Sequence, residues 1–179
     1  YAYNQHTKFP TLVNVHPNIR VTVAGYSGYN DYSRLLADPS SGPNAKYMKL
    51  LKGWRSKSKK LGVYSYLFGY QWAGPLPVLN VLQDRFRTYR DLDIELVHVD
   101  SGNGMHWGAQ GINIYMCARL LWNPDLDLHR EMDLYCRNYY GPAAAPMYKY
   151  HTALEEAALK GPWFGQGGGY VVKLYEADL

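Results

Sequence analysis

The sequence has no motif for a bound metal, a nucleotide phosphate or a membrane span. Its 2 cysteines, Cys117 and Cys136, lie on different predicted helices, and neither a CxxC pair nor the spacing of a zinc site occurs. The glycine-rich phosphate turns GxGxxG and GxxxxGKS/T are absent as well. No apolar run approaches the about 20 residues that a membrane-spanning helix needs. We therefore predict no metal, no cofactor and no membrane span, and we expect two reduced thiols in the core rather than a disulfide.

Phenylalanine is also scarce, whereas tyrosine is unusually frequent. The chain has 4 Phe against 18 Tyr and 5 Trp. Tyrosine and tryptophan combine a flat apolar face with a polar group, which suits stacking on a sugar ring together with hydrogen bonding. Many of these residues are expected in the core or on the surface, but the composition favours a carbohydrate-binding site.

Acidic residues are fewer than basic ones, and the formal net charge is +4. One dense basic cluster, Lys52–Lys60, falls on a predicted helix. A solvated helix face explains this cluster more simply than a nucleic-acid interface does, so nucleic acid is not an expected partner. A nucleic-acid binder would differ from the other candidate functions in the steep salt dependence of its binding.

Four short apolar segments, each followed by polar and aromatic residues, predict parallel strands. They are Tyr1–Asn4, Ile19–Ala24, Val63–Phe68 and Ile94–Val99. Long helical connections between them favour parallel pairing. The predicted fold class is α/β. Because the glycine-rich turn of a doubly wound sheet is missing, we expect the C-terminal half of a TIM-type (β/α) barrel.

Helical periodicity predicts the connections and part of the core. Helices are expected over Ala45–Leu61, Val78–Tyr89, Leu128–Tyr139 and Ala144–Leu159, with another that ends at Trp122. The expected core includes Trp54, Phe86, Met116 and Leu121. Gly141 and Gly161 stand where helices commonly end.

The domain organisation is predicted from this pattern of strands and helices. We expect residues 1–160 to form the half barrel with trailing helices, and residues 161–179 to form a glycine-rich tail with a short strand at Tyr170–Tyr175. The sequence starts at Tyr1, without Met and inside a predicted strand. We therefore also expect a preceding half of the same barrel in a longer protein.

The stretch Ile94–Trp122 organises the rest of the chain. Its nearly continuous apolar run, Ile94–Val99, is typical of a strand covered on both faces. Asp100 follows directly, at the end of the strand where parallel sheets bind ligands. Asp100 is therefore the candidate catalytic residue. The alternative is that its carboxylate accepts hydrogen bonds from the amides of Asn103 or Gly104 and only shapes the loop.

Other polar and aromatic residues come directly after the predicted strands. Those expected to bind substrate are Tyr3, Asn4, Gln5, Tyr26, Tyr70, Trp72, Asn103, His106 and Trp107. Because the carboxyl ends of parallel strands meet at one edge of a sheet, we expect these side chains to line one cleft. Asp31, in the loop after the second strand, is a second carboxylate near this edge.

Two longer motifs carry a resemblance to a known family. The run IYMCARLLWNPDLD at Ile114–Asp127 and the run YYGPAAAPMYKY at Tyr139–Tyr150 resemble bacterial proteins of the family called domain of unknown function 4838. The resemblance spans about Tyr1 to Leu154 and leaves out the tail. That family is also classified as glycoside hydrolase family 163, endo-β-N-acetylglucosaminidases acting on complex N-glycans, and it is similar in outline to the α-glucuronidase-like barrel enzymes.

The resemblance implies a glycoside hydrolase acting on an oligosaccharide or a glycoprotein glycan, in an exported protein of the periplasm, the cell surface or the medium. One departure matters: family members carry a Glu near the strand end where this chain has only Asp100. Glu131, Glu155 and Glu156 fall on helices expected outside the barrel. A non-catalytic carbohydrate-binding domain, or a degenerate barrel, is therefore the alternative function.

Overall fold

The computed structural model describes residues 1–26, 29–66, 75–100 and 107–161, with only the backbone of Trp107. The strands are β1 (Arg20–Ala24), β2 (Lys60–Ser65) and β3 (Leu96–Val99). The α-helices are α1 (Gly42–Lys57), α2 (Leu79–Asp91), α3 (Trp107–Trp122), α4 (Leu128–Tyr140) and α5 (Ala144–Lys160). Two short 3-10 helices lie at Asn4–His6 and Gly141–Ala143. The predicted tail strand, Tyr170–Tyr175, lies outside the described residues and stays a prediction.

The three strands form one parallel sheet in the order β1-β2-β3. Val63 in the central strand pairs with Val23 on one side and with Val97 on the other. The connections from β1 to β2 and from β2 to β3 contain α1 and α2, the long crossovers that parallel pairs require. The predicted parallel arrangement is therefore confirmed for these strands.

The predicted first strand is reduced to a single bridge. Ala2 pairs in parallel with Val23. The Ala2 amide donates to the Thr22 carbonyl at 2.8 Å, and the Ala2 carbonyl accepts from the Ala24 amide at 3.0 Å. Pairing stops at Asn4, whose φ of +50° starts the first 3-10 helix. The segment lies beside β1 as predicted, but Asn4 does not belong to a strand.

The described helices cover one face of the sheet. Because side chains alternate along a strand, Val23 and Val63 share that face, and both have 0 % exposure in the core. On the opposite face Leu96 is 40 % exposed and His98 is exposed. The expectation that Ile94–Val99 is covered on both faces is therefore wrong for the described structure, in which β3 is the last strand of the sheet.

The predicted core is correct at three of its four positions. Trp54, Phe86 and Met116 are buried. Leu121 is 42 % exposed, so its assignment to the core is wrong. The preceding residue, Leu120, is fully buried and supplies the core side chain of this turn of α3.

The ends of the helices are set by local capping chemistry. The Ser41 hydroxyl accepts the Asn44 amide at 3.3 Å and caps α1. This helix ends at Lys57, before the predicted Leu61, because Leu61 already pairs in β2. At the end of α4, Gly141 has a φ of +54°, a conformation that favours glycine. None of the described helices is long and apolar enough to cross a membrane.

Both cysteines are free and buried, as predicted. Burial raises the pKa of the Cys117 thiol to about 12. Burial also raises the pKa of the Cys136 thiol. Both side chains therefore stay neutral thiols near neutral pH and pack as small apolar groups.

Candidate functional site

Tyrosines at the carboxyl ends of the strands surround a cavity on the sheet face away from the helices. The cavity has a volume of about 260 Å³. Four tyrosines and one alanine line it: Tyr1, Tyr3, Ala24, Tyr64 and Tyr66. Tyr64 and Ala24 are partners in register, so their side chains project from the same face. The small side chain of Ala24 leaves the space between the rings.

The N-terminal segment supplies two of these rings because of its bridge to β1. Ala2 is 2 % exposed and belongs to the core. In an extended segment, neighbouring side chains point to opposite sides. Tyr1 and Tyr3 therefore project toward the cavity, while Ala2 packs on the face of the sheet that the helices cover.

The rings contact one another in a continuous wall. Tyr1 packs edge-to-face on Tyr64 with 5.9 Å between ring centroids, and Tyr3 packs in the same way on Tyr26 at 5.7 Å. Tyr66 joins the two pairs, with its centroid 5.4 Å from that of Tyr26 and 5.0 Å from that of Tyr64. Such edge and tilted contacts are favourable for aromatic rings and fix their orientation.

Asp100 lies beside this wall, held by β2. The Tyr64 hydroxyl donates to Oδ2 of Asp100 at 2.9 Å. The Tyr64 ring also stacks on His98, with 4.3 Å between centroids and 12° between planes. The Asp100 amide donates to the Ser65 carbonyl at 2.8 Å, which fixes the backbone one residue beyond β3. The half-buried carboxylate is thus fixed at the rim of the aromatic wall.

The Tyr64 and Tyr66 phenols stay protonated near neutral pH. Burial, and next the hydrogen bond to Asp100, raise the pKa of Tyr64. Burial, and next the neighbouring Tyr3, raise the pKa of Tyr66. Both hydroxyls therefore keep their protons near neutral pH, and that of Tyr64 is donated to Asp100.

The structure brings together some of the predicted site residues. Tyr3 and Tyr26 lie in the aromatic wall, and Asp100 lies at its rim. Asn4 and Gln5 are exposed in the first 3-10 helix and do not line the cavity.

Other predicted residues fall outside the described part of the chain. Tyr70, Trp72, Asn103 and His106 lie there, and Trp107 contributes only its backbone at the start of α3. Their predicted binding roles stay predictions. The alternative, that Asp100 only shapes the following loop, concerns residues 101–106. These residues also lie outside the described part of the chain, so this alternative stays untested.

Three of the four cavity tyrosines, Tyr1, Tyr64 and Tyr66, are not among the residues predicted to bind substrate. A signal for them exists in the alternation of tyrosines in YAYN and VYSY. A spacing of two residues directs both members of a pair to one face of an extended segment. Two such pairs, on parallel segments that lie on either side of β1, predict one aromatic surface.

A buried network supports the loop between β1 and α1. Arg85 of α2 is fully buried and donates to Oδ1 of Asn30 at 3.1 Å and to Oδ1 of Asn44 at 3.2 Å. Its guanidinium lies over the ring of Tyr32. The Tyr32 hydroxyl donates to the carbonyl of Tyr66 at 3.0 Å. The network therefore links α2 to the backbone of a cavity residue.

Asp31 is a structural carboxylate. Its Oδ1 accepts the Ser33 amide at 3.0 Å and the Ser33 hydroxyl at 2.6 Å. Its Oδ2 accepts the Ser41 hydroxyl at 2.8 Å. Asp31 is 3 % exposed, so these bonds satisfy a buried polar group and shape the loop before α1.

The helical glutamates connect helices rather than line the cavity. Glu131 of α4 accepts from Arg119 of α3 at 2.8 Å and 3.0 Å, a bidentate ion pair. Glu155 of α5 accepts the amides of Leu79 and Asn80 at 3.0 Å and 3.2 Å and caps α2. Within the described ranges, no group of three or more His, Cys, Asp or Glu side chains could hold a metal ion.

The site lies within a region that matches a known protein family. The family described as "Domain of unknown function (DUF4838)" matches residues 1–153. This match covers the sheet, the aromatic wall and Asp100. The chain belongs to the DUF4838 family. No curated protein and no solved structure matches it.

Within this DUF4838 chain the matched region ends inside α5. It therefore includes the elements that carry the cavity and the helices α1 to α4. The candidate site belongs to the family domain rather than to the tail.

Proposed function

We propose that this DUF4838 chain is the C-terminal half of a TIM-type (β/α) barrel and that the barrel hydrolyses glycans as an endo-β-N-acetylglucosaminidase. The observation that carries the proposal is the tyrosine-lined cavity with Asp100 at its rim, at the carboxyl ends of parallel strands. This is the end of the sheet where such barrels carry their active sites.

The barrel is supported by the difference between the two faces of the sheet. Helices pack on the face of Val23 and Val63, whereas the face of Tyr64 and Leu96 is not covered by any described helix. In a closed barrel, the face away from the helices is the interior. The preceding half of the same barrel is the partner that would cover this face and pair with the open edge of β3.

A glycan is supported as the ligand by the chemistry of the wall. The cavity offers aromatic faces for sugar rings and phenol hydroxyls for sugar oxygens. The wall continues beyond the cavity to Tyr26, so it is long enough to contact more than one point of an oligosaccharide.

The reaction is glycosidic-bond hydrolysis with Asp100 as the candidate catalytic carboxyl. Asp100 acts either as the acid and base or by orienting the acetamido group of the substrate. Glycosidases use two carboxyl groups, or one with help from the substrate. Asp31 and Glu131 are engaged in structural contacts, so neither is proposed as the second group, which the substrate or the preceding half of the barrel would supply.

Membership in DUF4838 supports the same activity through the resemblance to glycoside hydrolase family 163. Complex N-glycans are then the substrate class. An exported location is part of the proposal, because such glycans occur on secreted and surface glycoproteins.

The test is glycan release by the full-length protein. The protein is incubated with a glycoprotein that carries complex N-glycans, and free glycans are measured by mass spectrometry. We expect released glycans that end in one N-acetylglucosamine and a loss of turnover on the order of 100-fold in Asp100→Asn. Asp125→Asn, an exposed position in an ion pair with Arg87, is the control and should keep full activity.

A non-catalytic carbohydrate-binding domain is the second candidate. It is favoured by the engagement of Glu131 and Glu155 in contacts between helices. This function predicts that the full-length protein binds N-glycans without releasing them. Binding without release by the wild type would refute the hydrolase proposal.

A further inference from the structure

The position of Tyr64 is fixed by contacts with several neighbouring side chains. The register pairs it with His98, and the two rings stack. Tyr1 packs on the Tyr64 ring at 79°. The hydroxyl therefore has little freedom, and it reaches the carboxylate two residues beyond His98 on the adjacent strand.

The direction of the Tyr64 hydrogen bond bears on the role of Asp100. A phenol donates its proton, so Oδ2 of Asp100 is an acceptor. A carboxylate has about four acceptor positions on its two oxygens, so it can accept an N–H of a sugar as well as the Tyr64 hydroxyl.

Among the described residues, the titratable neighbours of this pair come from three segments. His98 stands on β3, Tyr1 and Tyr3 stand on the N-terminal segment, and Tyr66 comes directly after β2. Burial and the hydrogen bond to Asp100 raise the pKa of Tyr64, so its hydroxyl keeps its proton near neutral pH. The donor is therefore present near neutral pH.

We propose that Tyr64 is a positioning residue that holds Asp100 as a hydrogen-bond acceptor for the acetamido N–H of the substrate. Asp100 then orients the acetamido group and does not protonate the leaving group. This inference rests on the proposed glycosidase function. Of the two roles considered there for Asp100, it selects orientation of the acetamido group over acid and base catalysis.

The first experiment separates positioning from stability. Tyr64→Phe removes the hydroxyl and keeps the ring that stacks on His98. Tyr115→Phe is the matched control, because the Tyr115 hydroxyl also donates to a carboxylate, that of Glu131 at 3.1 Å, away from the cavity. In the full-length protein we expect Tyr64→Phe to lower kcat about 10-fold with KM changed less than about threefold. Tyr115→Phe should leave both unchanged.

The second experiment separates the two roles of Asp100. Turnover is measured on a complex N-glycan and on an aryl glycoside of an N-acetylglucosamine oligosaccharide with a nitrophenol leaving group. Nitrophenolate leaves without protonation, so loss of a general acid affects it little. We expect Asp100→Asn to lose on the order of 100-fold on both substrates. The Tyr64→Phe and Asp100→Asn double variant should be no slower than Asp100→Asn alone.

Each contrary result has a distinct meaning. Full turnover in Tyr64→Phe, or a loss of turnover proportional to a drop in its melting temperature, overturns the positioning role. Retained aryl glycoside cleavage in Asp100→Asn makes Asp100 a general acid and overturns the acceptor role, while the glycosidase function stands. Wild-type protein that cleaves neither substrate refutes the proposed function and this inference with it.

Discussion

The guanidinium carbon of Arg85 lies 5.0 Å from the ring centroid of Tyr32, in the interior of the protein. Both side chains are buried, and Tyr32 in turn donates to the carbonyl of Tyr66. A cation over an aromatic face is a favourable contact, and more so when water is excluded. This contact connects the core of the helical layer to the wall of the cavity.

Replacement of Arg85 should therefore destabilise the protein. Arg85→Met keeps much of the volume but removes the cation and leaves Oδ1 of Asn30 and of Asn44 without this donor. We expect the free energy of unfolding to fall by about 2–4 kcal/mol, as measured by urea denaturation. Arg87→Met on the same helix removes an exposed ion pair with Asp125 and should cost less than about 1 kcal/mol. Equal losses in the two variants would contradict this role of Arg85.

The two neighbouring leucines of α3 give a sharper test of packing. Leu120 has 0 % exposure, whereas Leu121 is 42 % exposed. Leu120→Ala should lower the free energy of unfolding by about 2–5 kcal/mol, because it opens a cavity in the core. Leu121→Ala should lower it by less than about 1 kcal/mol. A larger loss at Leu121 than at Leu120, measured by the same denaturation, would show that the helix is rotated from the described position.

These leucines also show where sequence reasoning is limited. The period of α3 indicates a helix, but its sequence is apolar on most sides, so the pattern does not select Leu120 over Leu121. The sheet was easier to predict, because apolar runs that end in glycine or polar residues define its parallel strands. Asp100 could be predicted as a strand-end carboxylate, but its bond to Tyr64 depends on the register between two strands.

The close approach of Phe9 to Gly53 predicts that alanine at position 53 lowers the stability of the protein. Glycine inside a helix normally costs stability relative to alanine. A Cβ at position 53 would overlap the Phe9 ring, so that ring must move. We expect Gly53→Ala to lower the free energy of unfolding by about 1–3 kcal/mol. Gly42→Ala, where a Cβ meets nothing within 4 Å, is the control and should be neutral or stabilising.

The buried Glu155 predicts a pH dependence of stability. Burial raises the pKa of its carboxyl to about 7, against an ordinary value of 4.5. Between these values the folded state binds more protons than the unfolded state, so the contribution is fully present below about pH 4.5 and is lost as the pH rises through about 7. Its full size is about 3 kcal/mol.

A comparison of variants isolates the Glu155 contribution. Burial lowers the pKa of His151, whose contribution has the opposite sign, but this histidine is present in every variant. Glu155→Gln should show a smaller loss of unfolding free energy than the wild type between about pH 4.5 and pH 8, by about 3 kcal/mol. Glu156→Gln at the exposed neighbouring position should behave like the wild type. Parallel profiles for all three proteins would refute the assignment.

The aromatic wall predicts that Tyr3 contributes to glycan affinity more than to folding. Its ring packs edge-to-face on Tyr26 and lines the cavity, so Tyr3→Ala removes one stacking surface and also frees the Tyr26 ring. We expect the Kd for an N-acetylglucosamine oligosaccharide, measured by titration calorimetry on the full-length protein, to rise about 10-fold. Tyr139→Ala is the matched control, since Tyr139 is 59 % exposed on α4 and stacks on Tyr135 away from the cavity. If both variants bind like the wild type, the tyrosine wall is not the glycan-binding surface, because the two substitutions remove the same type of ring from different places.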